Sequence, residues 1–264
     1  MIIWKRMKAF IKHTLLLVAA LSLVSCRKDT VTEKWVLAEY TCKSDMLDQR
    51  FTYQYDAQGR LVQVKEETKG LPTVHVVYTY ERNTITRYLL GDPTNLENWA
   101  GKIVYTLDNS GKVVKSVDEL LEQVQIYSYS ADGFLEKVTD GDGHVTQYSW
   151  KNNSLDKMMQ PDGITVQYTY TSNESLGLLC VNITEKGDNN LAHLGYFGKN
   201  SRLLPAKMED ITSDGKTVLS VEYNYTAFDA NARLTGYTQT TILSAGSLEA
   251  QSVNTYKLTW KNLQ

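Results

Sequence analysis

The sequence of 264 residues predicts an all-β protein, an up-and-down antiparallel meander of about 18 short strands rolled into a flattened or partly open, water-soluble barrel. Three observations predict it: segments in which aromatic and polar residues alternate, glycine-ended turns between them, and a scarcity of helical patterns. Seventeen tyrosines stand against five phenylalanines. So many phenol rings suit an incompletely dry core, because each buried hydroxyl needs a partner or water.

The strands repeat along the chain. Residues 164–170 (ITVQYTY) alternate apolar or aromatic side chains with Thr and Gln, which is the period of a strand with one buried face. Clear repeats follow one another every 20 to 27 residues. Aligned on the second aromatic position, they are Tyr55, Tyr80, Leu107, Tyr129, Trp150 and Tyr170, followed less regularly by Phe197, Tyr225 and Trp260.

The turns share a design in which four residues end in glycine. Such segments suit a type I turn closed by a left-handed glycine, and they join antiparallel neighbours. They are residues 56–59, 108–111, 130–133, 140–143, 160–163 and 212–215. Ala232 stands where the pattern expects glycine, and residues 81–84 and 151–154 also lack it. The one helical candidate, residues 117–124 (VDELLEQV), falls where a turn is expected.

The N-terminus reads as an export signal. Four cations precede the apolar run 14–23, which is too short to span a bilayer. The run ends in residues 23–26 (LVSC), which resemble a bacterial lipoprotein lipobox. The resemblance implies cleavage before Cys26, a diacylglycerol on its thiol and an acyl chain such as palmitate on its amine; the alternative is an ordinary secretory signal. The predicted organisation is a signal peptide at 1–25 (starting at Met1 or Met7), a tether at 26–33 and one β-meander domain at 34–264.

Two segments carry a further resemblance. Residues 53–61 (YQYDAQGRL) resemble the YD (Rhs-type) repeat, and residues 161–170 (PDGITVQYTY) match its second half. With the lipobox, this degenerate array resembles a family of Bacteroidetes lipoproteins of unknown function described as porin-like in fold. The resemblance implies a lipoprotein of the outer membrane, on its periplasmic or cell-surface face.

Charge and strand composition exclude two classes of protein. Loss of the signal removes four cations and shifts the formal charge from −2 to −6, and an acidic body does not attract phosphate backbones, so no nucleic-acid partner is expected. A membrane-spanning barrel needs strands of about 9 to 11 residues with an apolar lipid face. Here the face opposite the tyrosines is Thr, Gln, Ser, Asn and Lys, so the membrane contact is expected through the lipid on Cys26.

Motifs for catalysis and metal binding are missing from the sequence. It contains neither Gly-x-Ser-x-Gly nor His-Glu-x-x-His. Residues 139–143 (TDGDG) carry paired carboxylates but lack the further oxygens and the downstream Glu of a calcium loop. We therefore expect no enzyme, no metal and no cofactor.

The candidate ligand-binding residues lie outside the regular hairpins. The longest irregular insertion, residues 91–101, contains Asn95 and Trp99; a second, 186–190, is followed by His193 and Tyr196. Loops on a rigid scaffold commonly carry binding sites, although Trp99 is as well explained as a cover over a barrel end. The expected function is a non-catalytic cell-envelope binding module for a glycan or peptide. The alternative is a structural lipoprotein that docks a protein partner and takes no small ligand.

Two cysteines remain in the exported chain. Cys42 and Cys180 each lie in a strand-like run. In an oxidising compartment they pair as a disulfide, or they remain two separate buried thiols. The sequence does not favour either state.

Overall fold

The structure, a computed structural model, describes residues 34–45, 47–174, 188–245 and 248–263. The signal and tether, Cys26, Cys180 and residues 186–187 lie outside the described residues. Val36–Lys261 forms one compact unit. Residues 34–35 and 262–263, the described part of the other unit, are in strand conformation. No helix in the described ranges has the length and apolar character needed to cross a membrane.

The described chain forms sixteen antiparallel strands that close into a barrel, with β1 next to β16. This confirms the all-β meander. The barrel is closed, and it has sixteen strands rather than about 18, because residues around Phe197 form no strand. The strands are β1 Lys34–Lys43, β2 Asp48–Tyr55, β3 Leu61–Thr68, β4 Val74–Glu81, β5 Thr84–Leu90, β6 Trp99–Leu107, β7 Val113–Asp118, β8 Gln123–Tyr129, β9 Leu135–Asp140, β10 Val145–Lys151, β11 Ser154–Met159, β12 Thr165–Glu174, β13 Leu203–Ile211, β14 Thr217–Phe228, β15 Leu234–Ala245 and β16 Leu248–Leu263; one short helix, α1 Asn189–His193, precedes β13.

The glycine-ended turns form as predicted. All six glycines have φ between +71° and +89°, and each donates its N–H to the carbonyl three residues earlier at 2.8–3.1 Å. Ala232 adopts the same conformation at φ +60°, so the turn forms there without glycine. Asn152 and Asn153, at φ +51° and +61°, form a two-residue hairpin loop. Such a loop needs a positive φ at both positions, which Asn tolerates better than most residues.

The helical candidate at 117–124 forms no helix and contains the turn that the repeat predicts there. Residues 119–122 form the turn between β7 and β8, and Glu122 has a positive φ of 54°. Asp118 Oδ1 accepts hydrogen bonds from the backbone N–H groups of Leu120 and Leu121. An aspartate that binds its own following backbone in this way favours a turn over a helix.

The ring-bearing face of the strands is the interior. Tyr78, Tyr105 and Tyr168 are at most 3% exposed. The outward face is polar, as β3 shows: Val64 is buried, whereas the neighbouring Lys65 and Glu67 form an ion pair at 2.7 Å with both side chains 39% exposed. The alternation predicted from the sequence is therefore confirmed.

The repeated aromatic position has a specific task. In seven of the eight even-numbered strands its side chain donates a hydrogen bond, at 2.5–3.0 Å, to a main-chain carbonyl near the start of the preceding odd-numbered strand. The donors are Tyr55, Tyr80, Tyr129, Trp150, Tyr170, Tyr225 and Trp260. β6 carries Leu107, which has no donor group. We call these seven side chains the aromatic clasps; they explain why the repeat uses Tyr and Trp in place of Phe.

Candidate functional site

One end of the barrel is filled by the segment 188–202, which we call the plug. In an up-and-down meander, turns after even-numbered strands lie at one end and turns after odd-numbered strands at the other. The plug precedes β13 and therefore belongs to the first end, the plugged end. Its backbone bonds the edge there: Tyr196 O accepts from Val113 N at 2.8 Å, and Lys199 N donates to Gly133 O at 3.0 Å.

Asp188 fixes the start of the plug inside the barrel. Its carboxylate accepts from the backbone N–H groups of Asn190 and Leu191 and so caps helix α1. The same carboxylate accepts from Tyr78 Oη at 2.7 Å and pairs with Arg87 at 3.2 Å. The Asp188 side chain is only 3% exposed. A buried carboxylate with both a cation and several donors is a satisfied one.

Aromatic packing holds the rest of the plug. Phe197 is 1% exposed and makes edge contacts with Tyr105 and Tyr127 at centroid distances of 6.0 and 5.1 Å. Gly198 follows at φ +89°, where a Cβ would lie 2.6 Å from the Gly133 carbonyl oxygen. Only glycine fits this close approach, which brings the plug against the barrel edge.

A cavity of about 400 Å³ lies towards the opposite end, which we call the cavity end. Its wall is made by inward side chains of β8 to β11 and by the two glycine turns that join β9 to β10 and β11 to β12. Val138, Tyr148 and Met158 give it an apolar floor, and each is at most 7% exposed. A volume of this size is typical of small-ligand sites. The polar side chains lining it are Gln125, Asp140, His144, Thr146, Gln160 and Asp162.

Gln125 is the most deeply buried of these polar side chains, and it has a hydrogen-bond partner in the barrel wall. It is 5% exposed, and its Oε1 accepts a hydrogen bond from Tyr127 Oη at 2.8 Å. Tyr127 Oη lies 3.0 Å from Ser116 Oγ. Because Tyr127 gives its proton to Gln125, the Ser116 hydroxyl donates to Tyr127. Burial raises the pKa of Tyr127 to about 12, so the phenol remains a donor at neutral pH.

The carboxylates at the cavity mouth belong to turns. Asp140 Oδ1 accepts from the backbone N–H groups of Asp142 and His144, and Oδ2 lies 3.2 Å from His144 Nδ1. Although partial desolvation alone would raise the pKa of Asp140, the hydrogen bonds from His144 and Asp142 lower it below its usual value. Asp162 Oδ1 accepts from Ile164 N at 3.0 Å.

Asp140, Asp142 and His144 bring three ligand atoms within 4.8 Å of one another, which is close enough for a cation. The turn already uses Asp140 in the way that the equivalent Asp56 and Asp108 are used in their turns. The trio is therefore explained by the hairpin.

The sequence-predicted ligand residues lie in separate places. Asn95 is an exposed turn residue and Trp99, half-buried, begins β6 at the cavity end. His193 and Tyr196 lie in the plug; burial lowers the pKa of His193 to about 4, and the Tyr196 ring lies 6.5 Å from that of Tyr80. None of these four is among the residues described as lining the cavity. The lining residues that sequence reasoning missed, above all Gln125, carry no local motif.

Three further features lie outside the cavity lining. Cys42 is buried, at 4% exposed; since Cys180 lies outside the described residues, the pairing of the two stays a prediction. The Tyr168 hydroxyl is buried without a hydrogen-bond partner among the described groups. A second depression of about 430 Å³ near the plugged end is lined by Phe134 and Trp150 among others, whose rings lie 4.7 Å apart.

No protein-family model matches this chain, and no curated protein matches it. Solved structures do. A porin-like protein from Bacteroides uniformis superimposes with a TM-score of 0.64 at 16% identity, over 85% of this chain and 98% of that one. A porin-like protein from Bacteroides vulgatus gives a TM-score of 0.51 at 13% identity, over 85% of this chain and 98% of that one. The chain therefore shares the barrel fold of these porin-like proteins, as the resemblance to a porin-like family implied.

Proposed function

We propose that the protein is a non-catalytic binding module of the cell envelope, anchored by lipid on Cys26, which holds a glycan or peptide at the cavity end of its barrel. The observation that carries the proposal is the asymmetry of the interior. The plug fills one end through Asp188 and Phe197, whereas the other end keeps a cavity of about 400 Å³ with both apolar and polar walls.

The placement of the strand ends supports this arrangement. β1 begins at the plugged end, and the proposed tether 26–33 spans at most about 29 Å when fully extended. A lipid on Cys26 would hold the plugged end near the membrane. The cavity would then face away from the bilayer, where a ligand can reach it. A location at the outer membrane, on its periplasmic or cell-surface face, fits this geometry.

The test is a binding screen with the full chain purified in detergent micelles. The protein is passed over arrays of oligosaccharides and peptides, and hits are titrated by calorimetry. We expect saturable binding to members of one array. We also expect the barrel to resist protease better when the ligand is present. Failure of every oligosaccharide and peptide to bind would contradict the proposal. Trp99→Ala, which alters the cavity end outside the cavity lining, separates loop binding from cavity binding.

A second function is favoured by one observation. Leu71, Leu96, Leu120 and Leu121 lie in consecutive turns at the cavity end and are 37–66% exposed. Exposed leucines gathered on one arc of a rim are typical of a protein contact. This fits the alternative of a structural lipoprotein that docks a partner in an envelope complex and takes no small ligand. Co-purification of a partner from detergent extracts, lost on changing Leu120 and Leu121 to Ser, would favour it.

A further inference from the structure

The cavity contains a buried hydrogen-bond donor that the barrel itself holds in place. Gln125 is 5% exposed and lines the cavity. The chain from Ser116 through Tyr127 fixes its Oε1 as an acceptor. In a planar amide this leaves the two Nε2 hydrogens to donate on the other side of the group. A ligand in the cavity therefore meets a pre-oriented donor.

An acceptor lies at the mouth of the same cavity. Asp162 uses Oδ1 for the backbone N–H of Ile164, which leaves Oδ2 to accept from a ligand. Between donor and acceptor, Val138 and Met158 present an apolar wall. A partner for this set needs hydrogen-bond acceptors and donors on its edge and an apolar face.

We infer that the cavity binds neutral oligosaccharides, with Gln125 donating to a sugar oxygen and Asp162 accepting from a sugar hydroxyl. This deepens the proposed function and rests on it. A sugar ring offers hydroxyls that both donate and accept, with C–H groups that pack on Val138 and Met158. Tyr127 is the positioning residue, because it acts on the ligand only through Gln125.

The charge of the cavity lining disfavours acidic sugars at this site. Asp140 and Asp162 both line the cavity, and the hydrogen bonds that Asp140 accepts lower the pKa of its carboxyl below the usual value. Of the lining residues described, His144 is the one with a basic side chain. A carboxylate on the ligand would meet two negative groups with little compensation, so uronic-acid oligosaccharides are disfavoured.

The experiment uses the full chain in detergent micelles and three trisaccharides of equal length: maltotriose and N,N′,N″-triacetylchitotriose as neutral probes and trigalacturonate as the acidic probe. We expect a neutral probe to bind and trigalacturonate to bind at least tenfold more weakly. Gln125→Leu removes the donor and is expected to weaken neutral binding about 3- to 10-fold, the value of one hydrogen bond. The matched control is Gln147→Leu, because Gln147 lies on β10 between two lining residues but faces outward and is exposed.

Asp162→Asn is a second variant, at a side chain that is exposed rather than buried. Asn retains the acceptor that the turn needs, so folding is preserved. We expect this variant to reduce the difference in affinity between trigalacturonate and the neutral probes by about 3-fold or more. This variant decides the matter if Gln125→Leu fails to fold.

Four outcomes would overturn the inference. The first is that trigalacturonate binds more tightly than the neutral probes, and the second is that Gln125→Leu binds the neutral probes as tightly as the wild type does. The third is that Phe134→Ala loses binding while Gln125→Leu does not. The fourth is that peptides bind and no oligosaccharide does. Each of these leaves the proposed binding module standing. Failure of all oligosaccharides and all peptides removes both together.

Discussion

The anchor of the plug gives the sharpest test of how the barrel interior is built. Changing Asp188 to Ala removes one side chain that serves three partners: the N-terminus of helix α1, the Tyr78 hydroxyl and the Arg87 guanidinium. No other described carboxylate in the structure is as buried as this one. The substitution therefore strikes the plug without touching the cavity lining.

The expected cost follows from those contacts. Loss of a helix cap costs about 1 kcal/mol. Leaving Arg87 without its counter-charge adds about 2–3 kcal/mol, below the range for fully buried pairs, because the Arg87 side chain is 25% exposed. We expect Asp188→Ala to lower the free energy of unfolding by about 3–4 kcal/mol. Asp188→Asn keeps the cap oxygen and should lose less.

The assay is urea unfolding at pH 7 followed by intrinsic fluorescence. A double-mutant cycle of Asp188→Asn with Arg87→Met isolates the ion pair, and we expect a coupling energy of about 1–3 kcal/mol. The matched control is Glu174→Ala. Glu174 pairs with Arg202 at 3.1 Å, but both side chains are about 60% exposed, so its loss should change stability by less than about 0.5 kcal/mol.

A loss below about 1 kcal/mol for Asp188→Ala, or no coupling in the cycle, would refute this reasoning. Either result would mean that the plug is held by Phe197 and its aromatic neighbours alone. The m-value distinguishes a third case. A smaller m-value in the variant would show that the plug has already left the barrel before the strands unfold.

The remaining predictions concern single groups. Tyr170→Phe removes an aromatic clasp to the Leu155 carbonyl and should cost about 1 kcal/mol in urea unfolding; an unchanged midpoint would contradict a role for the clasps. Tyr168→Phe removes a buried hydroxyl that has no described partner and should leave stability unchanged or raise it, whereas a loss above about 1 kcal/mol would reveal a bound water. His193 has its folded pKa lowered by burial to about 4 from 6.5, so the unfolded chain takes up the proton first; its contribution to stability is full above pH 6.5 and is lost as pH falls from 6.5 towards 4. His193→Gln should flatten the stability profile across that window. Ala232→Gly relieves the backbone strain of a left-handed alanine at φ +60° and should raise the urea midpoint by the equivalent of about 1 kcal/mol relative to the wild type.

The strands and turns were predictable because their causes are local. Alternation at residues 164–170 and glycine at the turn ends act over a few residues, and both were confirmed. The plug was not predicted, since it interrupts the repeat and its fixing partners, Tyr78 and Arg87, lie about a hundred residues earlier in the chain. One local signal was present: Asp188 followed by Leu191 and Ala192 is the pattern of a capped, partly buried helix.

The cavity depends on register, which no single segment contains. Gln125 and Asp140 become neighbours because β8 pairs with β9 in one particular alignment. Asp162 lines the same cavity from the turn between β11 and β12. Closure of the barrel was likewise beyond the sequence, because it requires the first and last strands to meet. The lipid anchor on Cys26 and the non-catalytic nature of the protein stay predictions.

The seam between β1 and β16 has a consequence for biogenesis. Until the last strand is added, every partial chain has two open sheet edges, and unpaired edges invite pairing with other chains. Closing the ring joins residues more than two hundred positions apart, a slow event in folding. We expect the nascent protein to need a holding factor until the ring closes, and a chain shortened by its final strand to aggregate rather than form a smaller ring.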